Sequence, residues 1–271
     1  YDLAQKREEP IPVFAEMGSV NPILITEKRL LTDKNLSETL ANSIAQGTGQ
    51  FCTNPGMIIL CDPQGISKIT SKVIDHLSKM ILPPMVHINI EKNYLLQLDK
   101  LQENEAVKLV RTSSSNSAIG VVSAEDVLKN KKLTEEIFGP FSLFVECKSM
   151  NQLKDLVKII PGQLTATILA HKDDHSELVP LVTQLKNKVG RLLFEGVPTG
   201  VAVVQAMQHG GPYPASTDGR YTSIGTDAIY RWLRPITFQD CPNTLLPPIL
   251  QNENPLKIYR LINGQITKDT L

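Results

Sequence analysis

Gly49-Gln50-Phe51-Cys52-Thr53-Asn54-Pro55-Gly56, running into Met57-Ile58-Ile59-Leu60, is the stretch on which the reading of this chain turns. Turn-forming residues surround the cysteine, and the apolar run behind it reads as a buried strand. A thiol on the turn before such a strand stands at the mouth of a sheet, where α/β proteins keep their chemistry. Loop N–H groups can stabilise both a thiolate and an oxyanion, so Cys52 is a candidate nucleophile. Glu16, in Ala15-Glu16-Met17-Gly18-Ser19, is the candidate base, since a carboxylate in a partly dry site can activate a thiol or a water. Gly18 beside it permits close approach of the backbone to a ligand.

Working outward, Leu36, Leu40 and Ile44 recur at helical spacing and predict a helix capped by Asp33 or Asn35 and ended by Gly47 and Gly49. The same periodicity predicts helices over Gln64 to Met80 (Ile66, Ile69, Val73, Leu77), Glu91 to Glu103, Leu153 to Ile159 and Asp174 to Lys188. Strands are expected at Met57 to Cys61, Ser142 to Cys147, Leu164 to Ala170 and Arg191 to Phe194. This alternation argues for βα units: a three-layer α/β fold with a mainly parallel sheet. Gly, Pro, Ser and Thr crowd Pro198 to Gly225, a long ordered loop of the kind that wraps an active site. A short helix follows at Thr226 to Leu233, and Asn263-Gly264 marks a hairpin turn in the tail.

The chain has 271 residues, enough for a real core, and its 28 basic and 28 acidic residues cancel. That balance offers no basic footprint for nucleic acid and no polybasic membrane surface. No apolar run approaches the roughly 18 residues of a membrane helix, and Tyr1 to Glu9 lack a signal-peptide core. Four cysteines without a CxxC pair predict neither disulfides nor a metal site, and hence a reducing, cytoplasmic setting. Cys61 and Cys147, inside apolar runs, read as structural thiols. The histidines show no metal-ligand spacing; His209-Gly210-Gly211-Pro212 reads foremost as a structural turn that could line the site. Glu135-Glu136-Ile137-Phe138-Gly139-Pro140 is by spacing a charged loop. Alternatively it offers a carboxylate to ribose hydroxyls and an aromatic ring to a flat ligand.

Taken in order, three of these pieces resemble motifs of the aldehyde dehydrogenase superfamily. Glu16-Met17-Gly18-Ser19 stands where that family has Glu-Leu-Gly-Gly, Gly49-Gln50-Phe51-Cys52 matches Gly-Gln-x-Cys, and Glu135 to Pro140 matches Glu-Glu-x-Phe-Gly-Pro. Pro10 to Met17, Phe51 to Gly56, Gly190 to Phe194, Gly196 to Gly200 and His209 to Pro214 are similar to its α-ketoglutaric semialdehyde dehydrogenase branch. The resemblance runs from near Tyr1 to about Leu250. Ser19 replaces the second glycine of the first motif, a change shared with that branch.

The resemblance implies that Cys52 is the nucleophile and Glu16 the general base. It further implies that Glu136 holds the nicotinamide ribose of NAD or NADP, with Phe138 beside the nicotinamide and the Met17 backbone at its carboxamide. Cys52 would form a thiohemiacetal with an aldehyde, hydride transfer would leave a thioester, and Glu16 would activate the water that releases a carboxylate. The family's dinucleotide-binding domain lies upstream of the first motif. Residues 1–16 are therefore expected to end that domain, 17–254 to form the catalytic domain and 255–271 a tail that joins subunits of a homo-oligomer. The expected function is the catalytic half of an NAD(P)-dependent aldehyde dehydrogenase acting on a small aldehyde, inactive as a dehydrogenase by itself. The alternatives are a cofactor-independent Cys esterase or thioesterase and an inert oligomerisation module.

Overall fold

The computed structural model describes residues 1–63 and 68–271, in two compact units, Tyr1–Arg231 and Trp232–Leu271. In the first unit the strands are β1 (Ile23–Ile25), β2 (Met57–Cys61), β3 (Lys108–Arg111), β4 (Ala118–Ser123), β5 (Phe141–Cys147), β6 (Gln163–Leu169) and β7 (Val189–Phe194). Its helices are α1 (Asp2–Gln5), α2 (Glu27–Thr32), α3 (Leu36–Ala45), α4 (Ile69–Ser78), α5 (Ile88–Gln102), α6 (Ala124–Lys129), α7 (Met150–Ile159) and α8 (His175–Leu185).

The strands lie in the order β3-β4-β5-β2-β1-β6-β7, parallel throughout except for the β3–β4 pair at one edge. Strands buried on both faces need continuous apolar runs, and β2 supplies one in Met57-Ile58-Ile59-Leu60-Cys61, buried at every position. Alternate residues feed two cores. Ile23, Ile25, Ile58, Leu60 and Phe144 pack with Leu36, Leu40 and Ile44 of α3 and Val73 and Leu77 of α4. Leu24, Met57, Ile59, Leu143 and Val145 pack on the opposite face with Leu98 of α5, Val127 of α6, Leu156 of α7 and Leu181 of α8. The result is the expected three-layer α/β architecture.

The expected helices and strands are present with shifts of a few residues at their ends. The start of the helix expected from Gln64, including Ile66, lies outside the described residues. Asn35 occupies the cap position of α3 without a side-chain capping bond; instead Asp33 Oδ1 accepts from the Asn35 N–H at 3.0 Å. Pro198 to Gly225 forms no helix or strand beyond an isolated bridge between Ser216 and Glu16. No helix among the described residues is long and apolar enough to cross a membrane.

The second unit carries the hairpin β8 (Arg260–Ile262) and β9 (Gln265–Thr267). Asn263 and Gly264 both have positive φ, at 50° and 84°, as a two-residue Asn-Gly turn requires.

Candidate active site

Cys52 precedes β2, and neighbouring strands run parallel to it, so the sheet mouth it occupies is the amino edge. This corrects the expectation drawn from the usual rule, which places ligands at the carboxyl ends of parallel strands. The segments leading into β1, β2, β5 and β6 meet at this edge: Met57 N–H donates to Val20 O at 3.1 Å, Leu143 N–H to Gly56 O at 2.9 Å, and Thr167 N–H to Pro22 O at 2.9 Å.

Asn21 and Gln163 hold these segments together. Asn21 is fully buried, and its Nδ2 donates to the carbonyls of Cys52 (2.9 Å), Asn54 (2.9 Å) and Ser19 (3.1 Å). Its Oδ1 accepts from Thr165 Oγ1 at 3.0 Å. Gln163 Oε1 accepts from the N–H groups of Val20 (2.6 Å) and Asn21 (3.2 Å). The turn before Cys52 also interlocks with the third motif. Gly49 has φ +66°, and a Cβ there would overlap the backbone of Gly139 and Pro140.

The long loop after β7 returns to this edge. Met17 N–H donates to Ala215 O at 2.8 Å and Thr217 N–H to Ala15 O at 3.0 Å, which fixes the Glu16 segment against it. Gly211 packs so tightly on the start of β6 that a Cβ would overlap the Gln163 carbonyl. Thr222 Oγ1 accepts from His209 N–H at 2.9 Å. Between these anchors the His209 ring enters the site. Its Nε2 lies 3.4 Å from Cys52 Sγ and 3.2 Å from Glu16 Oε2.

The sequence therefore brings Cys52 and Glu16 together as expected and leaves His209 underrated. His209 is more than the structural turn it resembled, because its Nε2 contacts both. Its signal was faint: a single histidine before two glycines, 157 residues from Cys52. The charges of this cluster are coupled. Hydrogen bonds to Cys52 and Glu16 push His209 up to about 9, against partial burial. The His209 hydrogen bond in turn holds the Glu16 carboxyl below the usual carboxylate range.

Glu136 lies beside the Glu16 segment. Its Oε2 accepts from Ser19 N–H at 3.3 Å, and a Cβ on Gly18 would come within 2.9 Å of that oxygen. Glycine at 18 thus admits the Glu136 carboxyl. Burial raises Glu136 to about 7, opposed by the Ser19 hydrogen bond. Phe138 is half-buried and Met17 is exposed. The remaining thiols separate as expected for Cys61 and Cys147, which burial pushes to about 11 and about 12.

Over 99% of its length the chain is 38% identical to the α-ketoglutaric semialdehyde dehydrogenase of Acinetobacter baylyi, covering 53% of that protein. A second protein of that name, from Azospirillum brasilense, is 37% identical over 97% of the chain and 52% of its own length. Over nearly its whole length the chain is thus similar to aldehyde dehydrogenases in sequence. It spans about half the length of these curated relatives. No protein-family model matches it.

Solved structures of the superfamily share the fold. A 1-pyrroline-5-carboxylate dehydrogenase superposes with a TM-score of 0.64 at 21% identity, over 82% of this chain and 43% of that one. Betaine aldehyde dehydrogenase from Staphylococcus aureus, solved in complex with NAD+, gives 0.62 at 13% identity, over 80% and 44%.

Proposed function

We propose that this chain carries the catalytic centre of an NAD(P)-dependent aldehyde dehydrogenase that oxidises a carboxylate-bearing aldehyde, α-ketoglutaric semialdehyde, to its acid. The observation that carries this reading is the convergence of Cys52 Sγ, His209 Nε2 and a Glu16 carboxylate oxygen within 4.8 Å of one another. The names of the curated relatives support the substrate.

In this reading Cys52 Sγ bonds to the aldehyde carbon, and the thiol proton rests on His209. A histidine held near pKa 9 keeps that proton at neutral pH and places a positive charge beside the sulfur. The adduct is the alkoxide of a thiohemiacetal, whose loss of hydride would leave a thioester on Cys52. Glu16, ionised because its pKa is lowered, takes a proton from water as the water oxygen adds to the thioester carbon. The C–S bond then breaks, releasing the acid and returning the sulfur as thiolate.

A bound nicotinamide dinucleotide supplies the hydride acceptor in such chemistry. The residues at the edge of the site fit its nicotinamide end. Ser19 N–H occupies one of the roughly four acceptor positions on the Glu136 carboxyl, which leaves capacity for two ribose hydroxyls. Phe138 follows Glu136 by two residues, and Met17 lies two residues before Ser19. With only this grip assigned, the chain by itself is expected to reduce no NAD(P). Measurable turnover by the chain alone would contradict that expectation.

Protection of Cys52 tests the substrate assignment. Increasing α-ketoglutaric semialdehyde should slow iodoacetamide labelling of Cys52 saturably while leaving Cys241 unaffected. Equal protection by acetaldehyde at the same concentrations would remove the carboxylate from the assignment.

The His209 contact also favours a second reading, a cofactor-independent thiol esterase, because Cys, His and Glu in this order can acylate and deacylate. A stoichiometric burst from an activated ester, lost in Cys52→Ala, would support it. Self-association through the second unit belongs to the dehydrogenase reading; exposed Leu261 and Ile266 on its hairpin support it, and sedimentation at several concentrations tests it.

A further inference from the structure

Cys52, His209 and Glu16 present three different metal-ligand atoms to one point. We propose that this cluster is a binding site for a divalent transition ion, Zn2+ above all, with thiolate, imidazole and carboxylate as its three protein ligands. The proposal rests on geometry and stands whether or not the dehydrogenase reading holds.

Zinc bonds of roughly 2.3 Å to sulfur and 2.0–2.1 Å to nitrogen or oxygen make tetrahedral edges of about 3.6 Å between S and N and about 3.3 Å between N and O. The corresponding separations are 3.4 Å for Cys52 Sγ to His209 Nε2 and 3.2 Å for His209 Nε2 to Glu16 Oε2. All three ligand atoms lie within 4.8 Å of one another, so the cluster already has nearly the size of a coordination tetrahedron. A single Nε2 faces both an oxygen and a sulfur, and one N–H cannot point at both. A cation between them would satisfy all three donors together.

Sequence spacing conceals such a site, because the ligands come from three separate segments. The supports are nonetheless rigid. Asn21 holds the Cys52 carbonyl, Ala215 O holds Met17 N–H, and Thr222 Oγ1 holds His209 N–H. The Glu16 side chain is 29% exposed, which leaves a route for an ion and room for water at the fourth position. Binding to the thiolate and imidazole would release the one proton that His209 Nε2 carries to solvent and form Zn–S, Zn–N and Zn–O bonds, with no change of oxidation state. It would also occupy the sulfur lone pair, so the ion would act as a reversible block on Cys52.

Zn2+ titration of the purified, fully reduced chain against a chromophoric chelator tests this. One Zn2+ per chain is expected, with at least tenfold weaker binding in His209→Ala and in Cys52→Ser and no change in Cys241→Ser. Co2+ provides a test that needs no variant. The wild-type chain should give a thiolate-to-cobalt charge-transfer band in the near ultraviolet and intense tetrahedral visible bands, both removed by EDTA. Absence of stoichiometric binding, binding unchanged in His209→Ala, or a Co2+ complex without the thiolate band would overturn the proposal.

Discussion

His209 Nε2 stands 3.4 Å from Cys52 Sγ, although 157 residues separate the two in the chain. Glu16 reaches the same nitrogen at 3.2 Å, with a carboxylate oxygen also within 4.8 Å of the sulfur. A thiol and a carboxylate that sequence alone would pair directly thus share an imidazole as well. That changes which groups carry charge at neutral pH.

Glu136 gives a pH-dependent cost. Its pKa rises from 4.5 in the unfolded chain to about 7 in the fold, so the folded state binds more protons between those values. Stability from this group is present below about pH 4.5 and is lost as pH rises through about 7. Glu136→Gln keeps an acceptor for Ser19 N–H and removes the buried charge. It should be more stable than wild type at pH 8, by up to about 3 kcal/mol, and no more stable at pH 4. Urea denaturation at the two pH values checks this.

Gly49 is expected to tolerate no side chain. Alanine there adds left-handed backbone strain of about 1–2 kcal/mol and an overlap with Gly139 and Pro140. Gly49→Ala should lose about 3 kcal/mol or more in chemical denaturation. Gly196→Ala is the control: φ is +76° but nothing lies within 4 Å, so it should lose only the backbone part.

Asn21→Asp preserves shape and replaces the Nδ2 donor with an acceptor facing the carbonyls of Cys52, Asn54 and Ser19. One carboxylate oxygen would keep the Thr165 donor, but the other would face three carbonyls with a buried charge, and the variant should lose about 3 kcal/mol or more. Asn21→Asp should also restore part of its stability on acidification, as the carboxyl regains a proton to donate. Thermal melts across pH 4–8 read both effects.

Much of this arrangement is legible in the chain. Strand β2 and helix α3 announce themselves through unbroken or periodic apolar residues, and Cys52 through the turn-formers around it. Strand β1, central in the sheet, escapes that reading, because Ile23-Leu24-Ile25 is three residues long and sits between Pro22 and Thr26. Strands β3 and β4 and helix α6 escape as well, since their short segments carry weak periodicity. His209 was hidden for a different reason. Its position depends on contacts of a loop without regular structure, namely Gly211 on Gln163, Ala215 on Met17 and Thr222 on His209 itself. None of these has a local sequence signature.

The most direct test of the central claim, that a protonated His209 activates Cys52, is the pH profile of Cys52 alkylation. Iodoacetamide modification is read at Cys52 by peptide mass spectrometry in wild type and His209→Ala. Cys61 and Cys147 should stay unlabelled in both, which reports that each chain is folded. Wild type should react faster than His209→Ala across pH 6 to 8, because His209 keeps its proton until about pH 9 and sets a positive charge beside the sulfur. His209→Ala should react at least tenfold more slowly at pH 7 and climb with pH as an unassisted thiol does. Superimposable profiles for the two chains would contradict the account.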